Sequence, residues 1–481
     1  MWTALWAAVP FIIELTLKLM FIGWILLRNR PNPPVTLTWI IIILVFPIIG
    51  FIAYLLVGQA RLGRSRIRRN KEIVDRIHAT VHLPSGLRRV LRPELPARYR
   101  QIAALGETVS QNAPLGGNSL QLISDSDVFI QSMIEDIDEA TLHCHLLFYI
   151  YLADHSGERL GRALMRAAKR GVKCRLLVDA VGSSQFLRSP LRREMASAGV
   201  HIVDALPANV LRMAFSRVDL RNHRKIAVID GVVGYTGSHN IACADFAPKR
   251  KFAPWVDVSV RIAGPAARDL QVLFIEDWYL DTDESLEATL EIVPPIAEDG
   301  VPVQIMGTGP NAYNEALRQL LQSALHNAQE EVLLTTPYFV PDEATTTGLC
   351  TSARRGVETT LIVPARNDSP LVHVASRSYY EILLDAGVRL YEYEAGLLHS
   401  KTMTLDRDLA LVSTANLDRR SFELNFEVSV LVYDSDFASQ LRFLQSSYLD
   451  SSRMVNAAAW RARPWHNRLW QNAVGVLSPV L

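Results

Sequence analysis

Cysteine is scarce in this chain, and so is net charge. Cys144, Cys174, Cys243 and Cys350 are scattered over 481 residues with no Cys-x-x-Cys pair and no regular spacing. That argues against a disulfide framework or a cysteine-built metal site, and for free thiols in a reducing compartment. A formal net charge of +1 gives no sign of a nucleic-acid binder or of an acidic tail. The amino-terminal end lacks the basic stretch and the small-residue cleavage site of a secretory signal. Lysine is rare too: of 50 basic residues, eight are lysines and 42 are arginines.

Long apolar runs, by contrast, are present. Residues 4–27 and 35–57 each reach the ~20 residues a helix needs to cross a hydrocarbon core. The segment between them, 28–34, carries Arg28, Arg30 and three prolines, so the pair reads as a transmembrane hairpin. Glu14 and Lys18, four apart in the first run, are expected to neutralise each other or to meet a partner helix. Arg61, Arg64, Arg66, Arg68, Arg69 and Lys71 follow the second run. The positive-inside rule puts them in the cytoplasm and the short loop outside, and the same cluster could attract anionic headgroups. At the far end, residues 455–481 interleave Trp460, Trp465 and Trp470 with arginines and finish apolar, as an interfacial tail would.

The middle of the chain repeats itself weakly. Residues 168–178 resemble 353–363, and 198–203 resemble 386–391; in each, a helix ends at a glycine and feeds an apolar strand. Upstream, 146–152 and 332–340 both read as buried strands. Alternating helices and strands indicate two α/β units, 118–291 and 302–450, joined at 291–300 and preceded by a basic connecting segment, 61–117.

One hairpin recurs at the same place in each half. The first holds His223-x-Lys225-x4-Asp230, then Ser238 and Asn240. The second holds His399-x-Lys401-x4-Asp406, then Thr414 and Asn416. His and Lys two apart share one strand face, and Asp230-Gly231 is a turn dipeptide that brings Asn240 back beside His223. An imidazole, an ammonium, a hydroxyl and a carboxamide are the groups a phosphodiester needs: a nucleophile or acid, a cation and neutral donors. A single match is weak. Two matches, each with an asparagine ten residues beyond the aspartate and with lysine in a chain that prefers arginine, are not. Asp230 and Asp406 are expected to fix the hairpin turns. Asp257 and Glu427 are candidates to accept from the second ring nitrogen of each histidine and set its tautomer, against a role as ordinary strand-edge acids. His143 and His145 share a strand face, but no third ligand is evident, so core or site-wall residues are favoured over a metal pair.

On these motifs the chain resembles the phospholipase D superfamily, in which two His-Lys-Asp motifs meet at one pseudo-twofold site. It is further similar to bacterial cardiolipin synthases in Trp39, Pro47, Gly50, Tyr54 and Gly58, in 219–225, 337–342 and 416–421, and in its Trp/Arg-rich ending. The resemblance implies an α/β fold: a pseudo-twofold pair of phospholipase D-type units, each a mixed sheet flanked by helices, behind a two-helix transmembrane hairpin. It implies that one phosphatidylglycerol donates a phosphatidyl group to a histidine, glycerol leaves, and a second phosphatidylglycerol takes the group to give cardiolipin. His223 is expected as nucleophile and His399 as acid, the near symmetry of the motifs leaving the reverse open. Lys225, Lys401, Asn240 and Asn416 would hold phosphoryl oxygens, helped by Ser238 and Thr414. Neither metal nor nucleotide is called for, nucleic acid is not a partner, and the catalytic units belong on the cytoplasmic side of a bacterial inner membrane. One departure stands out: Ser413-Thr414 replaces the usual Gly-Ser and loses the glycine. A membrane-bound hydrolase giving phosphatidic acid, a transferase using another alcohol, and a non-catalytic scaffold are the competing readings. Oligomeric state and acyl-chain preference are left open.

Overall fold

A computed structural model describes residues 2–27, 33–58, 63–80, 91–207, 219–310 and 315–476. Contacts divide the chain into two compact units: residues 1–64 with 208–220, and residues 65–207 with 221–481.

In the first unit, helix α1 (Trp2–Leu26) holds the first apolar run, and the second run is two helices, α2 (Pro33–Val45) and α3 (Pro47–Val57). The single helix expected over 35–57 breaks at Phe46 because Pro47 has no N–H to donate and its ring crowds the preceding turn. Backbone bonds from Phe46 N to Ile42 O and from Gly50 N to Phe46 O carry the chain through the break. The helices meet through aromatic rings, Phe21 stacked on Phe51 at 3.8 Å and Tyr54 edge-on to Trp24 and Trp39. Lys18 pairs with Glu14 at 2.6 Å, the mutual neutralisation that their spacing allows. Phe11, Ile12, Leu19, Ile48 and Ile49 face outward. Among the described residues no helix is long and apolar enough to cross a membrane. Arg28, Arg30 and Arg61 lie outside the described residues, as do 477–481 of the tail.

In the second unit, helix α4 (Arg64–Thr80) comes first, and Ile73 and Ile77 enter the main core. The first half then supplies β1 (Leu115–Ile123), β2 (His143–Phe148), β3 (Lys173–Asp179), β4 (His201–Ala205), β5 (Arg221–Asn222), β6 (Ile226–Ile229), β7 (Val233–Gly237), β8 (Trp255–Val256) and β9 (Ser259–Ala263). The second half supplies β10 (Val301–Thr308), β11 (Glu331–Thr335), β12 (Phe339–Val340), β13 (Glu358–Pro364), β14 (Arg389–Tyr393), β15 (Leu397–Leu398), β16 (Thr402–Leu405), β17 (Leu409–Ser413), β18 (Leu417–Asp418), β19 (Asn425–Val432) and β20 (Ser452–Met454). One mixed sheet runs β20-β14-β13-β11-β16-β17-β19-β10-β1-β9-β7-β6-β2-β3-β4. Outward from the central pair β10–β1, β19-β17-β16-β11-β13-β14 on one side repeats β9-β7-β6-β2-β3-β4 on the other, which is a duplicated unit read in hydrogen bonds. Both central strands are apolar on their core face, and Val303 and Ile305 join Val260, Ile262, Val428 and Val430 in one shared core.

Two cations of the basic cluster, Arg66 and Arg69, are spent on protein. Arg66 makes two bonds to Asp281, at 2.7 and 3.0 Å, and Arg69 reaches Asp283 at 2.5 Å. Arg76 bonds Tyr279 and Ser285. Asp281 and Asp283 stand at the end of the helix Ala266–Thr282, so α4 is docked on the first half; Arg68 and Lys71 stay exposed. The four cysteines are free, and three of them are buried.

Candidate active site

Each His-Lys-Asp motif occupies a hairpin that its own sequence closes. In the first, β6 runs into β7 in the register Ile229↔Val233, with Asp230 at φ 50° and Gly231 at φ 71° in the turn. Asp230 then accepts the backbone N–H of Thr141, Leu142 and His143 at 2.8–2.9 Å, which ties the turn to the start of β2. Asp406 does the same at φ 49°, accepting from Gln329, Glu330 and Glu331 ahead of β11. Burial raises the carboxyl of Asp230, but the donors at Thr141, His143 and Leu142 outweigh it and hold it below the usual range. Both aspartates are turn staples.

The histidines sit before β6 and β16, and each is borrowed by the opposite half. β5, just ahead of His223, pairs in parallel with β19, and the His223 N–H donates to Phe426 O at 2.9 Å. β15, just ahead of His399, pairs in parallel with β8, and the His399 N–H donates to Val256 O at 2.8 Å. One residue further along each host strand is a carboxylate. His223 Nδ1 therefore lies 2.9 and 3.0 Å from the two Glu427 oxygens, and His399 Nδ1 lies 2.6 Å from Asp257 Oδ1. The pairing is crossed: each imidazole is oriented by an acid from the other half. With Nδ1–H given to a carboxylate, Nε2 keeps its lone pair for phosphorus or for a proton.

Burial sets the charges. It pushes His223 down to about 4, against the pull of Glu427, and pushes His399 down against Asp257. It lowers Lys225 to about 8 and Lys401 to about 7, against the attraction of Glu427 and Asp257. Burial opposes charge on the two acids as well, yet His223 beside Glu427 and His399 beside Asp257 hold both below the ordinary carboxylate range. Two imidazoles, two ammonium groups and two carboxylates thus share one buried cluster, in which the lysines supply the positive charge for a phosphodiester's non-bridging oxygens and the carboxylates support the imidazoles.

The predicted donors divide. Lys225 and Lys401 each donate Nζ to the carbonyl of the histidine two residues back, at 2.9 and 2.6 Å, so both ammonium groups stay in the cluster. Asn416 keeps a buried Oδ1 without a partner, while Asn240 Oδ1 accepts from Ile150 N at 3.2 Å. Ser238 exchanges hydrogen bonds with the backbone of Val258, and Thr414 donates to Glu427 at 2.5 Å and accepts from Val428 N at 2.9 Å. Both hydroxyls thus hydrogen-bond the neighbouring segment, Ser238 at Val258 and Thr414 at Glu427 and Val428. Gly237 still has an argument: at φ 145° an added Cβ would meet Val258 O at 2.4 Å. Ser413, the matching last residue of β17, does not have the positive φ of Gly237, and its hydroxyl bonds Ser429.

Residue patterns missed several members. Arg224, between His223 and Lys225, is buried and bonds Asp277 at 2.8 Å, Glu427 O at 3.1 Å and Thr308 O at 3.3 Å. Its presence between two motif residues was the only available signal, since exposed and buried arginines look alike in sequence. Tyr149 meets His223 edge-on, and Trp255 lies against His399 with centroids 4.7 Å apart. His143 and His145 stack on each other 4.3 Å apart behind this cluster, with His145 between Gln271 and Arg175. Among the described residues no group of three or more His, Cys, Asp or Glu is placed to hold a metal ion.

Comparison with known proteins gives the family. The family described as "Cardiolipin synthase, PLD-like domain" matches residues 133–278 and 321–444, which contain both motifs and both crossed acids. The chain belongs to the cardiolipin synthase family. A second family, described as "Phospholipase_D-nuclease N-terminal", matches residues 17–59. Among the relatives of this cardiolipin synthase family chain is cardiolipin synthase A of Serratia proteamaculans (strain 568), 36% identical over 434 residues, covering 89% of each chain. Cardiolipin synthase A of Edwardsiella ictaluri (strain 93-146) is 35% identical over 462 residues, covering 94% of this chain and 93% of the relative. In fold, the chain is similar to phosphatidylserine synthase of Haemophilus influenzae Rd KW20, with a TM-score of 0.60 at 14% identity over 80% of this chain and 98% of that one.

Proposed function

We propose that the twin histidines carry a phosphatidyl group from one phosphatidylglycerol to the glycerol of another, giving cardiolipin and glycerol. The observation that carries this reading is the crossed pairing of His223 with Glu427 and of His399 with Asp257. His223 Nε2 attacks phosphorus, the bond to the glycerol oxygen breaks, and His399 gives that oxygen a proton. The glycerol hydroxyl of the second lipid then returns a proton to His399 and attacks phosphorus, and the N–P bond breaks. Lys225, Lys401 and Asn416 are assigned to the non-bridging oxygens. One phosphodiester replaces another, so no external energy source enters.

The active unit is assigned to residues 118–291 and 302–450, and the anchor to a hairpin of α1 with α2 and α3, its short loop outside and residues from 61 onward in the cytoplasm. Outward apolar side chains and the hydrogen bonds that bridge the Pro47 break support the hairpin, since an interrupted helix is tolerated in a bilayer when its backbone groups are satisfied nearby. The test uses the purified full chain in micelles with phosphatidylglycerol alone. Cardiolipin and free glycerol in equal amounts are expected. Phosphatidic acid in place of cardiolipin, or turnover surviving the double variant His223→Ala, His399→Ala, would overturn the reading.

A further inference from the structure

The strand that hosts His223 is braced by two arginines. Phe426, fully buried in β19, gives its carbonyl to the His223 N–H, and the next residue, Glu427, orients the ring. The guanidinium carbons of Arg224 and Arg66 both lie over the Phe426 ring, 5.5 and 5.9 Å from its centroid, within reach of a cation–π contact. Arg224 follows His223 directly. Arg66 comes from α4, the helix that succeeds the second apolar run.

Arg66 is fixed in place beside that ring. Its two terminal nitrogens bond the two oxygens of Asp281 at 2.7 and 3.0 Å, and both side chains are nearly enclosed. Burial opposes its charge, but Asp281 and then Asp277 outweigh burial and hold the guanidinium above its ordinary range. Asp277 is also the partner of Arg224 at 2.8 Å. Two arginines and two aspartates therefore form one network, and Phe426 is the ring that both arginines share. A fork bonded at both tips also fixes the plane of the guanidinium, which an ammonium could not do. Arg69 and Arg76 dock the same helix on Asp283, Tyr279 and Ser285; among the described residues, Arg66 is the α4 cation that lies over Phe426.

The other histidine is held differently. His399 donates its N–H to Val256 O, so Val256 stands where Phe426 stands, and Ser400 stands where Arg224 does. A valine offers no ring to a guanidinium, and Ser400 bonds the Thr335 hydroxyl. The added support falls on the histidine assigned to attack phosphorus, whose lone pair must lie along the line of attack.

We infer that Arg66 is a positioning residue for the first histidine. Seated by Asp281, it fixes Phe426, and with it the carbonyl and the carboxylate that aim His223 Nε2. This rests on the reading of His223 as the nucleophile and extends it to a residue outside both motifs.

The test compares the full chain with Arg66→Gln, Arg69→Gln, Phe426→Leu and the double variant Arg66→Gln, Phe426→Leu. Glycerol release from phosphatidylglycerol micelles is followed, because transfer and hydrolysis both produce it. Arg66→Gln should lower kcat about tenfold and leave KM within about twofold. Arg69→Gln, which unpairs the same helix from the same neighbour, should keep the wild-type kcat. The double variant should be no slower than the slower single one, since both changes act through one contact. Equal losses in Arg66→Gln and Arg69→Gln, losses that multiply in the double variant, or a wild-type kcat in Phe426→Leu would each overturn the inference. A second readout needs no turnover. The low-field proton resonance of His223 Nδ1–H, identified by its loss in His223→Gln, should weaken or move upfield in Arg66→Gln and persist in Arg69→Gln. An unchanged resonance in Arg66→Gln would overturn the inference. Phosphatidic acid in place of cardiolipin, with the Arg66 effects intact, would count against the transfer reading alone.

Discussion

His223 and His399 differ in how their carboxylates are used. Glu427 shares its charge among the His223 ring, the Thr414 hydroxyl and the Asn425 amide, whereas among the described residues Asp257 accepts its side-chain bond from the His399 ring. A divided carboxylate supports an imidazolium less, which suits a neutral nucleophile; an undivided one suits the residue that must hold a proton. Two outcomes follow at this scale. His223→Ala and His399→Ala should each lower cardiolipin formation by about 10⁴ or more, while rapid quench with labelled lipid should trap a phosphorylated protein in His399→Ala and not in His223→Ala. Lys401→Met should cost about 10²–10³ in kcat/KM yet stabilise the fold by about 1–2 kcal/mol, because a lysine pushed down to about 7 is charged at a cost in the folded state. Thermal unfolding at pH 6, where that lysine is protonated, measures the gain; a loss of stability there would contradict the assignment.

Elements cross between halves where sequence gives the least warning. The short pairings β5–β19 and β8–β15 deliver the histidines, and Arg224 secures the first by reaching β19, β10 and Asp277 together. Arg224→Met leaves the buried Asp277 carboxylate without its partner and should cost about 3–5 kcal/mol in chemical denaturation; adding Asp277→Leu should return most of that. An undiminished deficit in the double variant would show that packing, not charge, is what Arg224 supplies. Most strands were legible from apolar runs and from the repeats at 168–178 and 353–363, because strand burial writes itself into local pattern. The use of Arg66 and Arg69 was not, since a basic run looks the same whether it meets headgroups or the acids at the end of another helix.

For the whole molecule, the crossed acids make the two halves one catalytic object. A chain ending at residue 300 keeps His223 and Asp257 but loses Glu427 and His399, exposes the β1 edge, and should show no turnover in the micelle assay. Stability should also depend on acidity in a stated direction. His223 binds its proton near 6.5 when unfolded and near 4 when folded, so the unfolded state holds more protons between those values. Its contribution is full above pH 6.5 and is lost as pH falls toward 4, which a pH series of melting temperatures would follow; His223→Gln should flatten that part of the curve. The sequence by itself determined the two hairpins, their turn aspartates, the paired histidines and lysines and the duplicated α/β pattern, because each is written within about twenty residues by turn chemistry and strand period. Only the tertiary structure decided which acid serves which histidine, across 204 and 142 residues of chain, that Ser238 bonds the Val258 backbone and Thr414 the Glu427 carboxylate and Val428 N–H, and that Pro47 divides the second apolar run. Those outcomes depend on which strands meet across the pseudo-twofold axis and on how a break is bridged, and no local residue pattern encodes either.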